Sequence, residues 1–316
     1  MTEQPEGPAI EVRGLRKRFG RTEVLRAVDL SVPLNSVFGF LGPNGAGKTT
    51  TMKILVGLLH ASGGSASVMG HDVARDSMRT RAAIGYLPQD VSYWRHLTVR
   101  GVLAFTARRY LDLSRRELRE QIDDTIELAD LGELADRRVG KLSGGERQRL
   151  GVAEAWIGRP DVLILDEPSS GLDPEGRHEV LDLLDRLREH ATILYSTHIL
   201  DDVERIADQI AIIDRGSIVA AGPVDSFLVG STAIYSIGID GTRHGVIDAL
   251  REAPWVDSIE PGSDGRIEIT VNDRRRAEHQ LVRALVEEGA HVTDFRPTRR
   301  SLEDTYLDLV GANDHG

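Results

Sequence analysis

The stretch Gly42-Pro43-Asn44-Gly45-Ala46-Gly47-Lys48-Thr49-Thr50 matches the phosphate-binding loop pattern G-x-x-x-x-G-K-[ST] at every position. Its flanks agree with it. Val37-Phe38-Gly39-Phe40-Leu41 is an apolar run of strand length, and Thr50 to Leu59 places Met52, Leu55, Val56 and Leu59 on one side of a helix. Gly42, Gly45 and Gly47 let the backbone turn tightly and aim its N–H groups inward, and the helix N-terminus adds partial positive charge. Asn44, Ala46 and Thr50 complete the cradle. Lys48 is long enough to reach the β- and γ-phosphates, and the Thr49 hydroxyl suits the Mg²⁺ that accompanies them. The expected ligand is a nucleoside triphosphate with magnesium.

Further along, Val162-Leu163-Ile164-Leu165-Asp166-Glu167-Pro168 reads as a second buried strand that ends in two adjacent carboxylates. A parallel sheet delivers its functional groups at the carboxyl ends of its strands. Asp166 is therefore expected in the Mg²⁺ shell, and Glu167 is expected to polarise an attacking water. Between the two strands, Ser143-Gly144-Gly145 opens a helix that continues through Val152, Ala153, Ala155 and Trp156. Exposed N–H groups, a small hydroxyl and no side-chain bulk make it a second anion-binding helix start. Ser143 as a plain N-cap is the other reading of the same residues.

In their order along the chain these segments resemble those of the ATP-binding-cassette (ABC) ATPases. Leu142-Ser143-Gly144-Gly145-Glu146 is similar to that family's signature motif, and Phe19 matches the aromatic that stacks on adenine. Gln89 in Tyr86-Leu87-Pro88-Gln89 matches the Q-loop, Ser170-Gly171-Leu172-Asp173 the D-loop, and His198 in Tyr195-Ser196-Thr197-His198 the switch histidine. The resemblance runs from about Ile10 to Pro223. It implies an α/β P-loop NTPase cassette, with a RecA-like core and antiparallel β and helical subdomains. It also implies ATP as the nucleotide, Gln89 beside Thr49 and Asp166 at the Mg²⁺, and His198 steadying both γ-phosphate and water. Lys48 would offset the charge that develops as the β–γ bond breaks. Two residues depart from the pattern: Glu146 stands where the family often has Gln, and Phe19 where many members have Tyr.

The chain carries one phosphate loop and one signature segment. By resemblance, Ser143, Gly144, Gly145 and Glu146 of one copy close over the nucleotide held by another, and Asp173 links the two sites. The implied active unit is an ATP-dependent, head-to-tail homodimer. Residues 91–157 read as a helical subdomain, with one helix starting at Ser114, Glu117 as its capping partner, and Leu118, Ile122, Ile126 and Ala129 along one face. In the family a groove beside Gln89 receives a helix from a separate transmembrane permease subunit. Tyr93, Trp94 and Leu97 are candidates to line that groove or, equally, to fill the subdomain core.

The pattern changes after Pro223. Strands are expected at Ala233 to Ile239, Val256 to Glu260, Arg266 to Val271 and His291 to Phe295, with helices at His244 to Glu252 and Arg276 to Glu288. The order βαββαβ suggests a small α+β ferredoxin-like domain. Ser301 to Leu309 reads as a last helix, and this tail resembles that of drug-exporter ATPases of the daunorubicin-resistance type. The expected division is a tail at 1–9, a cassette at 10–225 and an accessory domain at 226–316. Arg274-Arg275-Arg276 reads as a solvated cluster.

Composition limits the function classes. A formal net charge of -11 suits poorly a nucleic-acid partner held through its phosphates, and zero cysteines exclude disulfides and thiolate metal sites. The polar, Pro-containing start lacks the basic and apolar blocks of a signal peptide, and prolines and glycines break up the uncharged stretch from Leu30 to Gly47, so no membrane-spanning segment is expected. The implied function is an ATPase that drives export through a separate membrane subunit, at the cytoplasmic face of the membrane. An importer ATPase, a soluble ABC ATPase and a small-molecule kinase are the rival readings.

Overall fold

The computed structural model describes residues 7–228, 233–240, 247, 250–251, 253–261, 266–287, 290–298, 302–303 and 305–306. The chain divides into two compact units, Met1–Val224 and Asp225–Gly316. The first half of the larger unit runs β1 (Ile10–Phe19), β2 (Thr22–Val32), β3 (Val37–Leu41), α1 (Lys48–Leu55), β4 (Gly63–Val68), β5 (His71–Asp72), α2 (Ser77–Ala82) and β6 (Ile84–Leu87). Then come α3 (Val99–Tyr110), α4 (Arg115–Leu128), α5 (Gly144–Trp156), β7 (Val162–Asp166) and α6 (Pro174–Leu187). The unit closes with β8 (Thr192–Thr197), α7 (Leu200–Ile206), β9 (Gln209–Asp214) and β10 (Ser217–Pro223), and α8 (Val224–Leu228) spans the division.

A six-stranded sheet in the order β10-β9-β3-β8-β7-β6 forms its centre, parallel throughout except for the β10 edge. Every residue of β3, β7 and β8 is buried, as expected of strands covered on both faces. A second, antiparallel sheet, β2-β1-β4-β5, shares its apolar face with the core: Ile10, Leu15, Leu25 and Val28 cluster with Phe38, Phe40, Met52 and Ile164. Helices α3, α4 and α5 pack on one another, and α5 also packs on β6 and α6.

Local chemistry sets the boundaries. The helix after the phosphate loop is shorter than its apolar pattern implied, spanning Lys48–Leu55 rather than reaching Leu59. Gly57 at φ 73° adopts the left-handed turn that ends a helix, and Leu58 beyond it is exposed. At the other end, Gly47 at φ 119° is the N-cap, so Lys48 and Thr49 stand in the first turn. Helix α4 begins at the expected cap: Ser114 Oγ accepts from Glu117 N at 3.3 Å, and Glu117 Oε2 accepts from Ser114 N at 2.9 Å.

The smaller unit contains β11 (Ala233–Asp240), β12 (Val256–Pro261), β13 (Ile267–Val271), α9 (Arg274–Glu287) and β14 (His291–Thr298). Its sheet is antiparallel in the order β12-β13-β11-β14, and Tyr235, Ile237, Ile269, Leu281 and Leu285 form its core. Helix α9 starts earlier than expected because Asp273 Oδ1 accepts from Arg276 N at 3.0 Å, which draws Arg274-Arg275-Arg276 into the first turn. Strand β14 runs past Phe295 and pairs with β11 through Thr298. Most of the expected helix at 244–252 and most of that at 301–309 lie outside the described residues.

Candidate functional site

Adjacent parallel strands bring the motif segments together. At the carboxyl edge β3, β8, β7 and β6 stand side by side, with Leu41 opposite Thr197, Asp166 opposite Ser196 and Leu87 opposite Leu165. The residues that follow them are the phosphate loop, His198, Glu167 and Gln89. Thus four segments spread over much of the chain share one sheet edge.

At its centre is a chain of ionisable groups, buried except at one end. Lys48 Nζ lies 3.1 Å from Glu167 Oε1 and donates to the Gly42 carbonyl at 2.5 Å and the Pro43 carbonyl at 3.3 Å. The other Glu167 oxygen, Oε2, is 2.9 Å from His198 Nδ1. Both side chains of the Lys48–Glu167 pair are almost fully buried, whereas His198 is 43% exposed and forms the open end. Glu167 has φ 54°, a left-handed backbone that costs a non-glycine residue about 1–2 kcal/mol. Its N–H is fixed by a 2.9 Å bond to Ser196 Oγ, so the turn that aims the carboxylate is held from β8.

Asp166 stands beside this chain, fully buried. Its Oδ1 accepts from Thr49 Oγ1 at 3.1 Å and from Ser196 Oγ at 2.7 Å, while Oδ2 is buried with no hydrogen-bond partner among the described residues. A free carboxylate oxygen next to a threonine hydroxyl is the donor set a hard, oxygen-seeking divalent cation takes. Tyr86 lines the same region, and burial, with Asp166 near it, pushes its phenol up to about 12. Among the described residues its buried hydroxyl has no hydrogen-bond partner.

The remaining expected residues are placed less tightly. Gln89 is exposed on the segment after β6. Phe19, at the end of β1, is 47% exposed, with the Lys17 ammonium 4.8 Å from its ring centroid. Gly45 is exposed at φ 84° with open space where a Cβ would stand, and Asn44 beside it is exposed too, whereas Gly42 has no such room: a Cβ would lie 2.2 Å from the Ile213 carbonyl oxygen. Ala46 is buried, and its carbonyl accepts from Gly216 N at 2.9 Å, anchoring the loop to the β9–β10 turn.

The Ser143 segment lies away from this centre and is built as a cap. Ser143 Oγ accepts from Glu146 N at 3.1 Å, and Glu146 Oε2 accepts from Ser143 N at 2.6 Å. The Glu146 carboxylate therefore serves its own helix within this chain, with Arg137 3.5 Å away. Asp173 is likewise an N-cap, accepting from Gly176 N at 3.1 Å at the start of α6. A cavity of about 390 Å³ lies between the two caps, lined by Ser143, Gly144, Gly145, Leu172 and Asp173 among others. In the helical region Trp94 is 60% exposed and meets Phe105 edge-on at 5.4 Å. Tyr93 instead buries its hydroxyl beside Glu154, and burial pushes its ionisation far upward.

Ser196 was not singled out by the sequence, although it bonds both acidic residues. A serine inside an apolar strand is a weak signal, and only the β7–β8 register reveals its partners.

Comparisons with known proteins fit this arrangement. The family model described as ABC transporter matches residues 25–170. The daunorubicin resistance ATP-binding protein DrrA2 of Streptomyces coeruleorubidus is 37% identical over 312 residues, covering 97% of this chain and 96% of that protein. A Nod factor export ATP-binding protein I of Ralstonia nicotianae is 39% identical over 325 residues, covering 98% of each. A solved ATP-binding subunit of an ABC transporter is 30% identical with a TM-score of 0.62, covering 69% of this chain and 91% of its own. The likeness thus spans nearly the whole sequence and the cassette fold, and the chain belongs to the ATP-binding subunits of ABC transporters, α/β P-loop ATPases that bind and hydrolyse ATP.

Proposed function

We propose that this chain energises export of a small molecule through a separate membrane-spanning subunit, working as a head-to-tail homodimer at the cytoplasmic face of the membrane. The observation that carries the hydrolytic part is the buried Lys48–Glu167–His198 chain beside the free Asp166 oxygen. Phosphates in the loop would meet the N–H groups of the Gly42–Thr49 segment and the Lys48 ammonium. Lys48 then exchanges Glu167 for phosphate oxygens, and Glu167 Oε1 becomes free to accept a proton from water. His198, held by Oε2, keeps that carboxylate aimed and faces the open end, beside the place of the γ-phosphate and the water. Thr49 and Asp166 would hold Mg²⁺, with Gln89 reaching it from the β6 end. When bound, the ion draws charge from the phosphates and lowers the barrier to P–O cleavage.

The dimer reading rests on two helix starts that face solvent in this chain, Ser143-Gly144 and the Gly171–Asp173 segment, which border one cavity away from the phosphate loop. The first would complete a partner's nucleotide site, with Ser143, Gly144 and Gly145 near the γ-phosphate and Glu146 bracing that turn, and Asp173 on the second would link the two sites, while Phe19 stacks on the adenine. Exposed Trp94 suits a contact with the membrane subunit. The names of the two relatives, one for daunorubicin resistance and one for Nod factor export, favour export, as does the likeness over the region after Pro223. Among the described residues no helix is long and apolar enough to cross a membrane.

The test is accumulation of fluorescent daunorubicin by cells that express the chain with its membrane subunit. Accumulation is expected to fall, and to recover when Glu167→Gln replaces the native chain. Higher accumulation driven by ATP turnover would mark an importer instead. Unchanged accumulation by an active ATPase pair would remove this drug class from the substrates.

A further inference from the structure

Asp202 has no part in the chemistry above, yet the residue is wholly buried and its carboxylate is held by side chains from the β7–α6 connection and from α6. Ser169 Oγ donates to Oδ2 at 2.5 Å, and Arg177 Nε donates to Oδ1. The hydroxyl of Tyr195, itself fully buried, donates to the Asp202 carbonyl oxygen at 3.2 Å. Each partner borders a part of the site. Ser169 follows closely on Glu167; Arg177 sits on α6, the helix capped by Asp173; Tyr195 precedes His198 on β8; and Asp202 lies in the first turn of α7, just past His198.

The geometry of hydrolysis depends on two connections keeping their places, one from β7 to α6 and one from β8 to α7. Glu167 stands on the first in a left-handed turn, and half-exposed His198 stands on the second, so their 2.9 Å contact is only as fixed as the spacing of those connections. Burying a carboxylate is costly unless it is paired and fully hydrogen-bonded. Here the pairing is spent across the two connections rather than within either.

We propose that Asp202 is a positioning residue for hydrolysis: through Ser169 and Arg177 it locks the Glu167 turn, the Ser170–Asp173 loop and the His198 turn into one block. This rests on the roles given above to Glu167 and His198. A consequence concerns the partner subunit. Movement of the Ser170–Asp173 loop at an interface would be passed to Glu167 and His198 through Asp202, so the two nucleotide sites of a dimer would sense each other through this node. The molecule also contains an internal control. On the surface between the same two helices, Arg205 of α7 donates to Asp182 Oδ1 of α6 at 2.7 Å, an exposed tie that does not touch the site.

The test is steady-state ATP hydrolysis by the full chain as Asp202→Asn, Ser169→Ala, Ser169→Thr and Asp182→Ala, with affinity for a fluorescent ATP analogue measured alongside. Asp202→Asn and Ser169→Ala are expected to lower kcat about tenfold or more while KM and analogue affinity stay within about twofold, the signature of lost alignment rather than lost binding. Ser169→Thr, which keeps the hydroxyl, retains the rate, and Asp182→Ala is unaffected. The double variant Asp202→Asn/Ser169→Ala is no slower than the slower single, because both cut one link. A folded Asp202→Asn with native kcat overturns the proposal, as does a lowered thermal midpoint with kcat unchanged. If Asp202→Asn fails to fold, Ser169→Ala decides: its native kcat equally overturns the proposal. Normal turnover by Glu167→Gln would instead overturn the reading of the site on which the proposal stands.

Discussion

At the scale of single residues, the site depends on groups that are costly to bury and are held in place by one another. Glu167 is the clearest case, because its carboxylate is shared between Lys48 and His198 and its backbone stands in a left-handed turn. Glu167→Gln keeps the shape and removes the base, so hydrolysis is expected to fall by about 10²–10⁴-fold while ATP binding survives. Single-turnover hydrolysis and nucleotide binding, measured on the same preparation, check this. Ser196 makes a different prediction. Ser196→Ala leaves Asp166 Oδ1 with Thr49 as its hydrogen-bond donor and strips the Glu167 N–H of its partner, at a cost of about 1–3 kcal/mol for a buried donor left unpaired. Asp166 is then less well oriented, and the Mg²⁺ concentration for half-maximal ATPase is expected to rise. A magnesium titration that superimposes on the native curve would show that Ser196 has no influence on the cation. The phosphate loop was legible from sequence because a tight turn around phosphate demands glycines followed by Lys and Thr in that order, and the two acidic residues because they end an apolar run of strand length. Ser196 and Asp202 were not, because their roles exist only once β7 lies beside β8 and α6 beside α7.

At the scale of elements, close approach and capping decide what substitution does. Gly85 lies in β6 where α5 crosses it, and a Cβ there would stand 2.1 Å from the Ala155 carbonyl oxygen. Backbone cannot give way as a flexible side chain can, so Gly85→Ala is expected to push α5 off the sheet at about 1–3 kcal/mol. The thermal midpoint should drop by roughly 2–4 °C per kcal/mol. ATPase falls with it because α5 carries the Ser143 helix start at its other end. A native midpoint in a thermal melt would mean that the helix is not held at this distance. The α4 cap gives a prediction in pH. The Ser114 hydroxyl and N–H hold the Glu117 carboxyl below its ordinary value. A folded-state pKa lowered in this way contributes stability that is complete above the unfolded pKa and is lost as pH falls through the folded one. Ser114→Ala is expected to return the Glu117 titration, followed by NMR, toward the ordinary value. An unmoved titration would assign the shift elsewhere. This cap was legible because a capping box is local, four residues long by pattern. The end of α1 was misjudged for the converse reason: its apolar spacing continues past Gly57, and the backbone, rather than the spacing, ends the helix.

At the scale of the whole molecule, the proposal turns on whether one chain can complete its own site. Within the chain, the phosphate loop and the two acidic residues gather at one sheet edge, while the Ser143 start borders a separate cavity with Gly171, Leu172 and Asp173. The residues themselves indicate both halves, whereas their partnership across two copies is implied only by the family resemblance, since the pairing of two chains leaves no trace in residue order. Gly144 separates the alternatives cleanly. It is exposed, and a Cβ there would meet only the Leu172 side chain, at 3.3 Å, so a larger residue leaves the cap and the fold in place. An aspartate at that point sets a negative charge at a helix start, which its own helix tolerates but an incoming phosphate does not. Glu167→Gln with ATP and Mg²⁺ should therefore run as a dimer in gel filtration, and Glu167→Gln/Gly144→Asp should bind ATP with similar affinity yet run as a monomer. Adding the membrane subunit raises the effective concentration of the two copies, so the native pair should dimerise there at lower ATP. A Glu167→Gln/Gly144→Asp chain that still dimerised with ATP would mean that the Ser143 segment does not face the partner's nucleotide. The head-to-tail arrangement would then have to be given up, while the hydrolytic reading of Lys48, Glu167 and His198 would stand.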